Sequence, residues 1–100
     1  MDKFANTGLD NNLINEIKSY AQFYGVDKIV IFGSRARGDY KKKSDIDLAF
    51  YGGDSSEFIL CIDEDVHTLL KFDVVDLNRP VDEDLRKSIE KEGIVIYEKI

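Results

Sequence analysis

The sequence predicts a small α/β (α+β) domain in which helices flank a mixed β-sheet of three to four strands. Two observations support this fold class. The chain has 100 residues, 43% of them apolar, which suffices for one hydrophobic core but not for two. Segments with helical and with strand periodicity also alternate, in the order α-β-β-α-β-α, and a last segment could add a β-strand. We therefore expect residues 1–100 to form a single domain.

The first two predicted elements are an amphipathic helix and a buried strand. Over residues 10–24, apolar side chains recur at the spacing of one helix face, with Asp10 or Asn11 able to cap the start and Gly25 the end. The apolar, β-branched run 28–32 then stops at a glycine, which is typical of a buried strand that leads into a turn.

The predicted second strand, residues 45–51, has side chains of two kinds in alternation. Because successive side chains of a strand point to opposite faces, one face should belong to the core and the other should be acidic. The core face would carry Ile46, Leu48 and Phe50, and the opposite face Asp45, Asp47 and Ala49.

A second long helix is predicted after this strand. Asp54 and Glu57 are spaced as a capping pair for its first turn. The apolar stripe of this helix would consist of Ile59, Ile62, Val66, Leu69 and Leu70.

The C-terminal part predicts a third strand, a last helix and a short edge strand. The third strand covers residues 72–77, and Pro80 can open a helix that Gly93 closes. Residues 94–97 could then add the edge strand. The buried face of the last helix would carry Val81, Leu85 and Ile89.

Composition excludes several classes of function. Twenty acidic and fourteen basic side chains give a net charge of −6, which disfavours stable binding to a nucleic-acid backbone. No apolar run reaches the ~20 residues of a transmembrane helix, and the polar N-terminal segment lacks the apolar stretch of a secretory signal. The single cysteine, Cys61, makes no internal disulfide, and the single histidine, His67, has no second ligand at metal-binding spacing. We therefore expect a cytoplasmic protein in which neither residue carries chemistry.

The residues most indicative of chemistry follow the first predicted strand. Gly33 lets the backbone turn sharply and lets a phosphate approach peptide N–H groups, and the hydroxyl of Ser34 adds a donor. If a helical turn begins near Ser34, its free N–H groups also face the anion. Arg35 and Arg37 would neutralise phosphate oxygens. They belong to a basic cluster that suits one triphosphate better than a duplex, together with Lys41, Lys42 and Lys43.

Two aspartates, Asp45 and Asp47, begin the next predicted strand. Residues separated by one position on a strand project from the same face, about 6 to 7 Å apart at a rise of ~3.3 Å per residue. Such a pair can share hard cations, and two Mg²⁺ ions can stabilise the attacking and leaving oxygens of a nucleotidyl transfer. Unpaired acids at this spacing repel one another, so the pattern has no simple stability rationale.

The segment GSRARGDYKKKSDIDLAF resembles the signature of the DNA polymerase beta-like nucleotidyltransferase superfamily, which is Gly-Ser, ten residues, and Asp-x-Asp. Nearly the whole chain resembles its minimal nucleotidyltransferase (MNT) branch, which has the same order of elements. That family places a third metal-binding carboxylate on a later strand. Asp73 matches this carboxylate and Asp76 is the alternative. Because Asp73 and Asp76 project to opposite faces of the strand, periodicity alone does not show which of them is the third carboxylate.

The resemblance implies transfer of AMP from ATP to an acceptor hydroxyl, with release of pyrophosphate. MNT proteins of this family act as antitoxins that add AMP to a tyrosine of a HEPN ribonuclease, so a HEPN-type partner is implied, within a hetero- or homo-oligomer. The implied ligands of two Mg²⁺ ions are Asp45, Asp47 and Asp73. The implied nucleotide-binding residues are Gly33, Ser34, Arg35 and Arg37.

Two other functions are compatible with these residues. The chain could be an inactive binding module that neutralises its partner by contact alone, but the intact set of glycine, serine and three aspartates argues against inactivity. It could also be a transferase that modifies a small alcohol or an RNA end. The negative net charge and the small size argue against that acceptor class.

Overall fold

The computed structural model of the chain describes residues 7–53, 55–66 and 68–99. The strands of this described part form a mixed sheet in the order β3-β2-β1-β4, in which β2 and β3 are parallel and the other two pairs are antiparallel. The predicted fold class is confirmed, with one short additional helix, α2. None of the helices in these ranges is long and apolar enough to cross a bilayer. The elements are α1 (Asn11–Phe23), β1 (Val26–Phe32), α2 (Gly33–Arg37), β2 (Ile46–Gly52), α3 (Ser55–Glu64), β3 (Phe72–Asp76), α4 (Glu83–Glu92) and β4 (Ile94–Glu98).

Helix α1 forms where the apolar periodicity predicted it. The side chain of Asp10 accepts a hydrogen bond from the N–H of Leu13 at 2.8 Å, which satisfies one of the free donors of the first turn. Burial of its apolar face against the sheet stabilises the helix, since a fully buried leucine or isoleucine contributes about 1.5 to 3 kcal/mol. The buried residues are Leu13, Ile14, Ile17 and Ala21.

The sheet is buried on both faces, which corrects the prediction for β2. Helices α1 and α3 cover one face, where Ile46, Leu48 and Phe50 are fully buried as predicted. The opposite face is acidic only at its start, because further along it Ala49 is also fully buried. Helix α4 packs there over a second cluster, which comprises Val30, Phe32, Ala49, Leu77 and Ile89.

Helix α3 is shorter than predicted. It ends at Glu64, and the chain between it and β3 is irregular. Leu70 still contacts the core, but Leu69 is fully exposed. Leu69 was predicted to be on the buried face of this helix, and the helix ends before it. The predicted capping residue Asp54 and the histidine His67 lie outside the described residues.

Helix α4 begins after Asp82 and not at Pro80. The side chain of Asp82 accepts the N–H of Leu85 at 3.2 Å, a capping interaction that proline has no side-chain acceptor to make. The predicted end is confirmed, since the N–H of Gly93 donates to the carbonyl of Ile89 at 2.9 Å. The predicted edge strand follows directly as β4.

Candidate active site

The Gly-Ser turn lies where β1 passes directly into α2, at Gly33. Its φ angle is 73°, in the left-handed region that glycine enters without steric cost. A Cβ atom at this position would overlap Oδ2 of Asp47. The turn and the carboxylate are therefore in direct contact, and a side chain at residue 33 would have to displace the Asp47 carboxylate.

Asp47 lies between this turn and a second aspartate because of the strand register. It pairs with Phe32 across the antiparallel strands β1 and β2, and with Asp73 across the parallel strands β2 and β3. Paired residues of neighbouring strands project to the same face, so Asp47 and Asp73 are neighbours. Asp45 is exposed, one residue before β2. The structure thus brings the three predicted carboxylates to the end of the sheet that carries the Gly-Ser turn.

The electrostatics of Asp47 show how closely these groups interact. Partial burial raises its pKa, the negative charges of Asp73 and Asp45 raise it further, and the positive charge of Arg37 partly opposes them. Like charges disfavour ionisation of a carboxyl group, and a cation among them removes that cost.

Three carboxylates provide the hard oxygen donors that Mg²⁺ prefers, so the chemistry of the donor set fits this ion. In the described ranges, however, no three acidic, histidine or cysteine side chains converge on a preassembled metal site. Asp45, Asp47 and Asp73 would therefore have to draw together around an ion.

Arg37 is the arginine whose charge acts on the candidate carboxylates, where it lowers the pKa of Asp47. Its Nε donates to Asp39 at 3.2 Å and its Nη1 to Glu92, the last residue of α4, at 3.0 Å. These hydrogen bonds raise the pKa of Arg37. Helix α4 thus orients a guanidinium whose charge acts on Asp47, and the Arg37 side chain is still 44% exposed.

Arg35 has different surroundings from those predicted. It is 1% exposed, and its Nη1 donates to the carbonyl of Thr7 at 2.8 Å. Nε and Nη2 donate to the carbonyl of Ser44 at 3.2 and 3.0 Å, and Nη2 also reaches that of Lys42 at 3.4 Å. The ring of Tyr40 lies 4.7 Å from its Cζ. Instead of facing a phosphate, the guanidinium holds together the loop that leads into β2.

Asp76, the alternative to Asp73 as the third carboxylate, stabilises the turn after β3. Its Oδ1 accepts from the backbone N–H and the Nδ2 of Asn78, both at 2.9 Å, and its Oδ2 pairs with Nε of Arg79 at 3.4 Å. Asp76 lies three residues further along β3, on the opposite face. The structure therefore places Asp73, and not Asp76, beside Asp47.

Comparison with known families relates this geometry to an enzyme class. The family model for the polymerase beta nucleotidyltransferases matches residues 15–100, which include every predicted site residue. The chain belongs to this family. It is a nucleotidyltransferase, as the Gly-Ser and Asp-x-Asp pattern predicted.

This nucleotidyltransferase is 33% identical over 94 residues to a Methanocaldococcus jannaschii protein designated a candidate protein adenylyltransferase, with 84% of this chain and 90% of that protein covered. Among solved structures, a toxin–antitoxin complex with AMP-PNP gives a TM-score of 0.64 at 23% identity, covering 91% of this chain and 75% of that chain. A tri-AMPylated Shewanella oneidensis HEPN toxin in complex with an MNT antitoxin gives 0.60 at 17%, covering 91% and 74%. These structures share the fold.

Two features of the candidate site were not predicted from the sequence. The contact of Glu92 with Arg37 joins residues 55 positions apart and leaves no local signal. The burial of Arg35 did have a signal, because residues i and i+2 of a helix do not face the same side. Once residues 33–37 are known to be helical, Arg35 and Arg37 are not expected to contact the same phosphates.

Proposed function

We propose that this nucleotidyltransferase transfers AMP from ATP, with Mg²⁺, to a tyrosine hydroxyl of a HEPN-type ribonuclease and so acts as its antitoxin. One observation carries the proposal: Asp47 touches Gly33 on one side and pairs with Asp73 on the other. A turn that a phosphate can approach and a set of carboxylates thus share one end of the sheet. The designation of the Methanocaldococcus jannaschii relative supports a protein acceptor, and the HEPN–MNT complex of similar fold supports the choice of partner.

The turn would hold the nucleotide through its outer phosphates. The peptide N–H groups of Gly33 and Ser34 and the hydroxyl of Ser34 are the donors for this contact. The exposed guanidinium of Arg37 would offset the charge that develops on the departing pyrophosphate. Arg35 has no ligand role in this proposal, because its N–H groups already bind backbone carbonyls.

Asp45, Asp47 and Asp73 would hold two Mg²⁺ ions, which neutralise charge on the attacking and leaving oxygens. Asp73 is exposed on β3, so an acceptor can reach its carboxylate, which would take the proton of the acceptor hydroxyl. The acceptor oxygen forms a bond to the α-phosphorus as the bond from that phosphorus to the bridging oxygen breaks. Pyrophosphate then leaves, and the AMP stays on the acceptor.

We further propose that residues 1–100 work as one cytoplasmic domain in a hetero-oligomer with the partner. In the described part of the chain, the site lies at the end of a sheet whose faces are covered by α1 and α3 on one side and by α4 on the other. The partner would supply the acceptor hydroxyl and complete the surface that encloses it.

Intact-mass spectrometry of the protein mixed with its HEPN partner, ATP and Mg²⁺ tests the proposal. The partner should gain the mass of adenylyl groups and lose ribonuclease activity. Chelation of Mg²⁺ and Asp47→Asn should both abolish the gain, whereas Asp63→Asn, an exposed change on α3, should not. Silencing without a mass gain, undiminished in Asp47→Asn, would favour neutralisation by contact alone. Transfer to a small alcohol or an RNA end, with none to the partner, would favour the other acceptor class.

A further inference from the structure

A cavity of about 600 Å³ opens beside Asp45, within the size range of ligand sites, ~300 to 1,000 Å³. Its walls are the loop that precedes β2 and the segment that precedes β3. We call this cavity the lysine trough. Its lining residues are Lys42, Lys43, Asp45, Leu69, Leu70 and Lys71.

The charge of the trough is opposite to that of the protein. Three of the six lining residues that the structure describes are exposed lysines, in a chain with a net charge of −6. Helix α3, by contrast, carries three acidic residues and no basic one. The net charge and α3 therefore repel an acidic partner and the trough attracts it, which favours one orientation.

The trough also offers an apolar contact. Leu69 is 104% exposed, more than the exposed aromatic Phe23 at 80%. A single exposed leucine is ordinary on a protein surface, but here it stands among lysines at the rim of a cavity. This combination suits a segment in which an apolar side chain lies between acidic ones. None of the lining residues that the structure describes is an aromatic side chain on which a nucleic-acid base would stack.

The trough lies on the side of the candidate site away from the Gly-Ser turn, which is the proposed phosphate site. In the strand order β3-β2-β1, the Gly-Ser turn follows β1, and the trough lies along the segment before β3. The carboxylates at the start of β2 stand between them. The N–H of Ile46 donates to the carbonyl of Lys71 at 2.8 Å and so fixes this wall to the start of β2.

We propose that the lysine trough is the docking site of the acceptor protein, and that its occupant is an acidic segment with an apolar residue next to the hydroxyl that receives AMP. The inference rests on the proposed function and specifies its acceptor. A segment seated in the trough reaches Asp45 from the side opposite the triphosphate. This is the approach that attack in line with the leaving pyrophosphate needs.

Fluorescence anisotropy with two labelled peptides tests the inference, one with a Tyr-Leu pair among glutamates and one with the same pair among lysines. The intact protein should bind the acidic peptide and not the basic one. Lys42→Glu combined with Lys71→Glu should weaken that binding by about tenfold or more. Lys87→Glu combined with Lys91→Glu on α4 changes the net charge equally and should have little effect.

A second pair of variants tests the apolar contact. Leu69→Gln should weaken binding of the acidic peptide, whereas Phe23→Gln, at another exposed apolar residue, should not. Circular dichroism verifies that each variant is folded. Both changes replace side chains that are mostly exposed, so neither should affect folding.

Four results would overturn the inference. The acidic peptide could fail to bind the intact protein, or bind the trough and control variants equally. The trough variant could lose affinity for Mg²⁺-ATP while keeping the peptide, which would make the trough a phosphate site. A short single-stranded RNA could bind there in place of the peptide. The proposed function fails on a separate result, silencing of the partner without any gain of adenylyl mass, which leaves the peptide measurements valid.

Discussion

Oδ2 of Asp47 fills the position that a Cβ atom on residue 33 would occupy, so Gly33 and Asp47 form a single unit of the site. The register of β1 and β2, which pairs Phe32 with Asp47, maintains this contact. The pairing of the two strands thereby keeps the glycine after β1 in contact with the aspartate near the start of β2. A change at either position should disturb both the turn and the carboxylate.

Gly33→Ala should reduce AMP transfer by about 100-fold, because the new methyl group displaces the Asp47 carboxylate. The positive φ angle should also lower the free energy of unfolding by about 1 to 3 kcal/mol. Gly25→Ala is the matched control, since Gly25 has a φ of 72° but no atom within 4 Å of the added Cβ. Urea denaturation should show a similar loss in both variants, and a transfer assay a loss in Gly33→Ala alone. If both variants lost transfer equally, backbone strain and not displacement of Asp47 would explain the loss.

Asp73→Asn should slow AMP transfer by about 100-fold or more, since a metal contact is worth several kcal/mol. Its free energy of unfolding should stay equal or rise slightly, because a negative charge that raises the pKa of Asp47 is removed. Asp76→Asn should do the opposite. It should keep near wild-type transfer and lose about 1 kcal/mol of stability, because it weakens the turn to Asn78 and Arg79. If Asp76→Asn slowed transfer more than Asp73→Asn, Asp76 would be the third carboxylate.

Arg35→Met and Arg37→Met should separate stability from catalysis. Arg35→Met removes the buried hydrogen bonds that the guanidinium donates to the carbonyls of Thr7 and Ser44, and should cost about 2 to 4 kcal/mol of unfolding free energy. Arg37→Met removes exposed ion pairs worth about 0 to 1 kcal/mol, but should slow transfer by about 100-fold. Denaturation curves and kcat distinguish the two. If Arg35→Met stayed stable but lost ATP affinity, the phosphate role predicted from the sequence would be restored.

Cys61 should be nearly inert at neutral pH. Burial, assisted by the charge of Asp65, raises the pKa of its thiol from 9.0 to about 11. At pH 8 its thiolate fraction should therefore be ~100-fold below that of an ordinary thiol, and alkylation by iodoacetamide correspondingly slow. Labelling at the rate of a free thiol would contradict this.

The same shift predicts how stability depends on pH. The folded pKa of Cys61 lies above the unfolded one, so its contribution to stability is complete below pH 9 and is lost as the pH rises to about 11. Cys61→Ala should reduce this alkaline loss, measured as the free energy of unfolding at pH 8 and pH 10.5. The pKa values of Tyr20 and Tyr24 are also raised, so some loss should remain in the variant.

The site was predictable where its residues are close in sequence. Gly33 and Asp47 belong to one strand-loop-strand segment, so spacing and residue type sufficed to group them. The choice of Asp73 over Asp76 rested on a resemblance, because periodicity treats the two alike. The contacts that separate them in the structure are the pairing of Asp73 with Asp47 and the hydrogen bonds of Asp76 to Asn78.

The fold was predictable where apolar periodicity is strong, as in α1 and β1, and less so at element ends. The predicted start of α4 at Pro80 was wrong, because the capping side chain of Asp82 sets the start of this helix. The second buried face of β2 could not be predicted from β2 itself. Whether Ala49 is covered depends on the packing of α4, which is distant in sequence.

Strand β3 lies at an edge of the described sheet, so β2 is the only described strand that keeps Asp73 in register with Asp47. Such peripheral strands detach in local openings that require less free energy than global unfolding. Each opening would disperse the carboxylates while β1, β2 and the Gly-Ser turn stay folded. Mild heating should therefore inactivate the enzyme reversibly below its melting temperature. A ligand that pairs with the free edge of β3 would then widen the temperature range of activity without touching the reacting atoms.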